Sequence, residues 1–199
     1  MKQAERRQQT IQLLLETTNQ LVREKGCNSV TMKDIVDRSG LSKGAIFHYV
    51  KSKNEIFAWV LQEGLDDIDQ RFTDQVNRGK KEFQGPLNEI TKRFDELQDP
   101  ESVTNQILVY LLAKSGQKEI DEVLDRFYHQ SVQLSRQWIA TGQKHGVIPA
   151  SVDSNKMGEL FVLISFGLRM RSFLTDKDSS FHIDDFASFL KVTLNGERG

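Results

Sequence analysis

The sequence predicts an all-α protein of about nine helices, with a small N-terminal three-helix domain followed by a larger helical domain. Only three prolines interrupt the 199 residues, so long stretches carry no turn signal. Apolar residues recur at steps of three and four through most of the chain, which is the spacing of one face of a helix. Capping patterns, in which a side chain bonds the exposed N–H groups of a first helical turn, precede several of these stretches.

The first two helices are predicted over residues 10–25 and from Thr31 onward. Gly26 is expected to end the first, because glycine readily adopts the left-handed conformation that stops a helix. Thr31 and Asp34 form the pattern of a capping box, which is a hydroxyl at the N-cap and an acid three residues later. Residues 39–41, Ser-Gly-Leu, then predict a tight turn.

A third, short helix is predicted over residues 43–49, with Ser42 as its N-cap. A fourth begins at Ser52, which forms another capping box with Glu55, and its amphipathic pattern fades near Asn77. Two short helices joined by a tight turn are the helix-turn-helix arrangement, whose second helix enters the major groove of DNA. The sequence therefore predicts a DNA-binding head followed by a connecting helix, residues 52–77.

The remainder of the chain has the same helical spacing. Further helices are predicted over residues 85–97, 99–114, a long segment that carries Ile120 and ends at Gly146, and residues 155–175 and 182–195. The second of these begins with Asp-Pro, an N-cap residue followed by a residue suited to the first helical position.

Charge divides the chain at the same place as the helix pattern. Residues 1–53 carry ten Lys and Arg against five Asp and Glu, a net charge of +5. The other residues carry 17 bases and 23 acids, a net charge of −6. A basic head on an acidic body suits a phosphate-binding module attached to a domain that does not touch DNA.

Several classes of protein are not supported by the sequence. The most apolar run, residues 160–168, is far too short to span a bilayer, and the charged N-terminus has no apolar stretch behind it. A single cysteine, Cys27, cannot form an internal disulfide, so we expect a cytoplasmic protein. No metal-ligand spacing, glycine-rich phosphate loop or nucleophile elbow is present. We expect no metal, no cofactor, no enzymatic activity and no membrane partner.

The predicted recognition segment has the residue types that DNA reading requires. Ser42 and the free N–H groups of the first turn can hold a phosphate, and Lys43 adds positive charge at the same end. Gly44 and Ala45 are small enough for the helix to approach base edges, and Ala45 can touch a thymine methyl group. His48, Tyr49, Lys51 and Lys53 supply further donors to phosphate or bases.

Residues 10–60 resemble the N-terminal domain of the TetR family of bacterial regulators. The matching stretches are Thr-Met-Lys-Asp-Ile-Val at 31–36, Gly-Leu-Ser-Lys-Gly at 40–44, Phe-His-Tyr at 47–49 and Lys-Ser-Lys at 51–53. Two positions depart from the family pattern, because Val50 stands where phenylalanine is usual and Phe47 where tyrosine is frequent. We expect Val50 to be a core residue and Phe47 to lack one hydroxyl contact with DNA.

The resemblance implies roles for individual residues of the head. It implies phosphate contacts from Thr31, Ser42, Lys43, Tyr49 and Lys53. It places Lys43, Gly44, Ala45, Phe47 and His48 nearest the bases. Simple helix capping also accounts for Thr31 and Ser42, and the two roles coexist because a capped N-terminus is already an anion site. His48 as a plain surface residue and Tyr49 as a packing residue stay open.

The resemblance also implies a homodimer in which the last two long helices of each subunit form a four-helix interface. The candidate interface residues are Leu160, Ile164, Gly167, Leu168, Phe186, Phe189 and Leu190. From the residues alone, core and interface are equally good readings of this apolar pattern. With the resemblance, the interface is favoured.

A ligand pocket in the central domain is the last implication of the resemblance. The candidate lining residues are Phe94, Tyr110, Phe127, Trp138, Phe166 and Arg169. An aromatic stripe at helical spacing is also typical of plain core, and Arg169 could pair with an acid across the dimer instead of an anionic ligand.

These observations predict a DNA-binding head at residues 1–53 and a ligand-binding and dimerisation domain at residues 54–199. The predicted function is that of a dimeric transcriptional repressor that binds a pseudo-palindromic duplex operator and is released by a small-molecule effector. The alternatives are a regulator or architectural module controlled by a protein partner, and an activator.

Overall fold

The structure is a computed structural model that describes residues 3–77, 94–174 and 180–195. Within these ranges every regular element is an α-helix, which confirms the predicted all-α class. The nine described helices are α1 (Gln3–Ser29), α2 (Met32–Ser39), α3 (Lys43–Phe47), α4 (Lys53–Asn77), α5 (Phe94–Leu97), α6 (Val103–Leu112), α7 (Lys118–Lys144), α8 (Ser154–Arg171) and α9 (Ile183–Asn195). Among the helices so described, none combines the length and the apolar character that crossing a bilayer requires.

The chain divides into two compact units. The first combines Met1–Gly64 with Val103–Phe127, and the second combines Leu65–Ser102 with Tyr128–Gly199. The first unit thus contains the helix-turn-helix segment together with α6. The predicted domain boundary at residue 53 stays a prediction.

In the first unit the helix-turn-helix segment packs on α1. This first helix contacts both α2 and α6. Ile35 of α2, Ile46 of α3 and Ile56 of α4 are fully buried, so each short helix is anchored by one apolar side chain. Val50 is buried as well, which confirms its expected place in the core. Burying these side chains fixes which faces of α2 and α3 stay in solvent.

The second unit is held together by α7, α8 and α9. One core cluster joins Leu168 of α8 to Phe186 and Leu190 of α9. Another joins Ile139 of α7, Ile148 of the following loop and Leu194 of α9. A single chain therefore already buries one face of each of its last two helices.

The starts of α1 and α6 differ from the predictions. The first helix begins at Gln3, well before the predicted residue 10, because residues 3–9 are good helix formers without an apolar stripe. Gly26 has a positive φ of 73° with ψ 159°, so the regular helix is interrupted there as predicted, and a further short helical segment continues to Ser29. Asp99 accepts a hydrogen bond from the N–H of Glu101, and α6 then begins only at Val103. Of the helix predicted over residues 85–97, residues 85–93 lie outside the described part of the chain.

Two helical glycines give opposite predictions for stability. A Cβ at Gly158, which is buried in α8, would lie 2.7 Å from Arg136 Cγ and 3.1 Å from the Arg136 backbone nitrogen. A Cβ at Gly64 in α4 would meet only Thr104, at 3.8 Å, which is ordinary contact. Gly158→Ala should therefore destabilise the protein by about 1–3 kcal/mol through overpacking.

Gly64→Ala is the matched variant, and it should stabilise by about 0.5–1 kcal/mol because alanine loses less backbone entropy in a helix. Thermal unfolding followed by circular dichroism measures both, at about 2–4 °C per kcal/mol for a chain of this size. Equal shifts of the same sign would contradict the close crossing of α7 and α8.

Candidate nucleic-acid interface

The first helix of the helix-turn-helix begins at the capping box that the sequence predicted. Thr31 has extended backbone angles, its hydroxyl accepts a hydrogen bond from the N–H of Asp34 at 3.2 Å, and its own N–H donates to Asp34 Oδ2 at 2.7 Å. The Thr31 hydroxyl also donates to the same carboxylate. Because that hydrogen is already used, the phosphate contact of Thr31, which stays a prediction, would require the hydroxyl to rotate.

Two ion pairs fasten α2 to α1. Lys25 Nζ lies 2.7 Å from Asp34 Oδ2, and Arg38 binds both carboxylate oxygens of Glu24 at 2.6 and 2.7 Å. The Lys25 ammonium, followed by the Thr31 hydroxyl and N–H, holds the pKa of Asp34 well below its usual range. The Arg38 guanidinium likewise lowers the pKa of Glu24. These contacts fix the orientation of α2 on α1 and compensate two of the basic charges of the head.

The Asp34 contacts predict a definite pH dependence of stability. A carboxyl whose pKa is lower in the folded state stabilises the fold above its unfolded pKa of about 3.9, and this contribution is lost as the pH falls through the folded pKa. Asp34→Asn keeps a capping oxygen but removes the charge. The variant should be less stable than wild type at pH 7, and the difference should shrink below about pH 4.

Urea unfolding between pH 7 and pH 2.5 measures this difference. Asp37→Asn is the control, since Asp37 is an exposed acid of the same helix. A stability difference for Asp34→Asn that does not change with pH would contradict the assigned ion pair.

The turn and the recognition helix follow the predicted chemistry closely. Gly40 ends α2 in the left-handed conformation, with φ 68° and ψ 5°. Ser42 then caps α3, and its hydroxyl oxygen accepts a hydrogen bond from the N–H of Ala45 at 3.2 Å. This turn aims the N-terminus of α3 into solvent, where its remaining N–H groups can meet an anion.

One face of α3 and of the residues just after it is open. Lys43, Gly44, Phe47 and His48 are exposed, whereas Ile46 is fully buried. A Cβ built on Gly44 would meet no atom within 4 Å, so the space beside this glycine belongs to the solvent or to a bound molecule. This open face contains the residues that the sequence predicted nearest the bases, except that Ala45 is only half-exposed.

Cationic and aromatic groups alternate on this face. The Lys43 ammonium lies 5.6 Å from the centre of the Phe47 ring, and the rings of His48 and Tyr49 meet edge to face at 5.0 Å. Phe47 is 41% exposed, which is unusual for a phenylalanine. Positive charge beside an accessible apolar ring suits phosphate binding together with contact to a thymine methyl group.

Lys53, predicted as a phosphate ligand, has a different environment. It begins α4 and is half-buried, and its ammonium donates hydrogen bonds to backbone carbonyl oxygens at the end of α1. Sequence spacing did not reveal this arrangement, because the carbonyls belong to residues more than twenty positions away. Its phosphate contact stays a prediction.

The predicted interface residues are divided between core and surface. Leu168, Phe186 and Leu190 are buried in the second unit, and Ile164 packs against them. Gly167 and Phe189 are exposed, and Leu160 is half-buried. Three further residues of these helices, Leu163, Met170 and Val192, are 45–56% exposed despite being large and apolar. The dimer interface itself stays a prediction.

The predicted pocket residues are divided between the two units. Tyr110 and Phe127 are buried in the first unit. Phe166 of the second unit meets Tyr128 edge to face at 5.9 Å, and Arg169 is half-buried on α8. The side chain of Phe94, the first residue of α5, lies outside the described part of the chain.

Trp138 lines a cavity of about 510 Å³ between the parts of α4 and α7 that belong to the second unit. Its indole N–H donates to Asp69 Oδ1 at 2.9 Å, and its ring stacks on Phe72 at 5.2 Å. Gln137, Thr141 and Lys144 add polar groups to the same wall. The cavity thus offers an aromatic surface beside groups of both charge signs.

Known proteins with similar sequences are regulators of transcription. Residues 14–60 match the family model of the bacterial regulatory proteins of the tetR family. The uncharacterised HTH-type transcriptional regulator YfiR of Bacillus subtilis is 22% identical over 169 residues, 84% of this chain and 82% of YfiR. The HTH-type transcriptional repressor KstR2 of Mycobacterium tuberculosis is 33% identical over 64 residues, 32% of each chain.

The fold has a counterpart among solved structures. A putative TetR-family transcriptional regulator from Syntrophomonas wolfei superposes with a TM-score of 0.72 at 19% identity, covering 96% of this chain and 98% of that one. At this identity the likeness establishes the fold and nothing finer. The matched proteins are regulators. This agrees with the prediction from the sequence, which was a regulator and not an enzyme.

Proposed function

We propose that this chain, a DNA-binding transcriptional regulator of the tetR family, is a homodimeric repressor controlled by a small-molecule effector. The observation that carries the proposal is the open face of α3, where Lys43, Gly44, Phe47 and His48 are exposed on a helix anchored by buried Ile46. A repressor is favoured over an activator by the partial match to the repressor KstR2.

In the proposed complex α3 enters the major groove. The capped N-terminus of α3 and the Lys43 ammonium hold a phosphate, while Gly44 lets the backbone approach the base edges. Phe47 lies against a thymine methyl group, and His48 donates to a phosphate or a base. The buried anchors Ile35 and Ile46 hold this face in place before DNA arrives.

Dimerisation is supported by the exposed apolar stripe of α8. On α8, Leu163, Gly167 and Met170 follow one another at steps of three and four residues, and Leu174, in the turn after α8, continues the spacing; all four are exposed. On α9, Phe189 and Val192 are exposed as well. Large apolar side chains at this spacing are typical of a surface that a partner covers. A Cβ at Gly167 would meet no atom of its own chain, so a partner helix has room to approach there.

Pairing two heads supplies the affinity that one short helix lacks. Successive major grooves on one face of DNA are about 34–36 Å apart, so a two-headed protein reads two half-sites at a defined spacing. An effector that changes the spacing of the heads by a few ångströms releases the DNA. The coupling required is on the order of 1–3 kcal/mol, which corresponds to a roughly 5–150-fold loss of affinity.

The cavity beside Trp138 is the proposed effector site. Its stacked Phe72 and Trp138 rings suit a planar or aliphatic ligand body, and Asp69 and Lys144 suit polar substituents. The chain has a second tryptophan, Trp59, which belongs to the first unit. An effector found by thermal-shift screening should quench the fluorescence of wild type and of Trp59→Phe, whereas Trp138→Phe should give little signal. Equal quenching in both variants would place the effector elsewhere.

DNA binding and repression are tested with fragments from around the chain's own coding region. Fluorescence anisotropy should find one fragment that binds in preference to random duplex. That fragment, placed between a promoter and a reporter, should lower expression when the protein is present. Increased expression would favour the activator, and a partner protein that alone controls binding would favour the non-ligand alternative.

A further inference from the structure

The Lys53 ammonium binds the backbone that connects α1 to α2, residues 27–31, which we call the joint. Its Nζ donates to the carbonyl oxygen of Cys27 at 2.8 Å and to that of Val30 at 2.7 Å, and it lies 3.5 Å from the carbonyl oxygen of Asn28. Carbonyls at the end of a helix have no partner within the helix and carry the negative end of its dipole, so an ammonium group suits them. The next residue, Thr31, is the N-cap of α2.

The same ammonium rests on the aromatic rings of the first unit. It lies 5.0 Å from the centre of the Tyr110 ring and 5.8 Å from the centre of the Phe57 ring, and these two rings meet edge to face at 5.4 Å. Tyr110 belongs to α6 and is buried, and the Lys114 ammonium also lies 5.0 Å from its ring. One lysine therefore connects the end of α1, the start of α4 and a side chain of α6.

This environment leaves little of the ammonium for DNA. Two of its three N–H groups make short bonds to carbonyls, and the aromatic faces occupy another side. A phosphate oxygen would have to replace one of these contacts. By comparison, Lys43 is exposed and meets only the Phe47 ring among the described contacts.

We propose that Lys53 is a positioning residue for DNA binding, which holds the joint before α2 against α4 and Tyr110 and does not neutralise a phosphate. The proposal rests on the DNA-binding function of the chain. It makes the position of α6 and the orientation of the helix-turn-helix interdependent, since both depend on one ammonium group.

The salt dependence of DNA affinity separates the two roles. A lysine that neutralises a phosphate contributes to counterion release, so removing it lowers the slope of log K against log salt by about one. Lys53→Met keeps the apolar stem and should weaken binding about tenfold with the wild-type slope retained. Lys43→Met is the matched variant and should lower both the affinity and the slope. A slope reduced by about one in Lys53→Met would overturn the proposal.

Tyr110 variants test whether Lys53 acts through α6. Tyr110→Phe keeps the ring and should bind DNA like wild type, whereas Tyr110→Leu should weaken binding without a change of slope. The double variant Lys53→Met, Tyr110→Leu should lose less affinity than the product of the two single losses, because both remove the same contact. Strictly multiplicative losses would contradict a shared contact.

A measurement without DNA keeps this proposal separate from the proposed repressor function. Hydrogen exchange of the free full-length protein should be faster at residues 27–31 in Lys53→Met than in wild type, and unchanged there in Lys43→Met. Unchanged exchange at this joint in Lys53→Met would overturn the positioning role. This result does not depend on which operator the protein binds or on whether it represses.

Discussion

Gly44→Glu is expected to weaken operator binding by about 100-fold or more while leaving the fold intact. A Cβ added at this position would meet no neighbouring atom within 4 Å, so the new side chain starts in open space. In the complex, however, the carboxylate lies where the recognition helix is closest to DNA. There we expect it to repel the phosphates and to prevent the close approach of the helix to the base edges, at a cost of several kcal/mol of binding free energy.

Two control variants separate the charge from its position. Gln117→Glu makes the same change of charge at an exposed residue of the first unit and should bind almost like wild type. Gly44→Ala adds only a methyl group and should lose far less affinity than Gly44→Glu. Anisotropy titrations at fixed salt measure all three, with circular dichroism as a check of folding. Gly44→Glu with affinity within a few-fold of wild type would show that this face does not read DNA.

Gly167→Arg is expected to convert the protein to a monomer and to lower operator affinity by about 100-fold or more. Its own chain tolerates a side chain here, since no atom lies within 4 Å of the added Cβ. A partner helix packed on the stripe of Leu163, Gly167 and Met170 would be pushed away, and the introduced charge would be buried without a partner. Loss of the second head removes the gain from two-site binding, which is about 10²–10⁴ in affinity.

Sedimentation velocity gives the oligomeric state of this variant directly. Gln70→Arg adds the same charge at an exposed residue of α4 in the second unit and should stay dimeric. A Gly167→Arg protein that sediments like wild type and binds the operator equally well would contradict an interface on α8.

The helix-turn-helix could be predicted residue by residue because its structure depends on local chemistry. The Thr31 capping box, the left-handed Gly40 and the Ser42 cap each involve residues within four positions of one another. Such signals are visible in a sequence and survive folding. The start of α1 was missed for a related reason, since residues 3–9 form helix without any apolar face to mark it.

The environment of Lys53 and the composition of the pocket depend on tertiary contacts, which sequence spacing does not report. A basic residue beside a recognition helix suggests phosphate binding, yet the Lys53 ammonium is directed at the carbonyls of Cys27 and Val30. Aromatic residues that looked equivalent in sequence belong to different units. Tyr110 is buried in the first unit, whereas Trp138 lines a cavity of the second.

The last two helices illustrate a limit of periodicity. Core and interface both require apolar residues at steps of three and four, so the pattern alone does not separate them. In the structure Leu168 and Phe186 face each other within one chain, whereas Leu163 and Met170 are exposed one step around α8. Only the fold of a single chain shows which of these residues are left for a partner.

In the proposed complex, two heads of one dimer read two half-sites on successive major grooves. The bound fragment is first reduced to its minimal operator. Inserting about 5 bp between the half-sites rotates one of them by half a helical turn, whereas inserting about 10 bp returns both half-sites to the same face of the DNA. We expect a loss of affinity of about 100-fold or more for the 5 bp insertion, with partial recovery at 10 bp. Equal affinity for all three spacings would show that the two heads do not read two half-sites together.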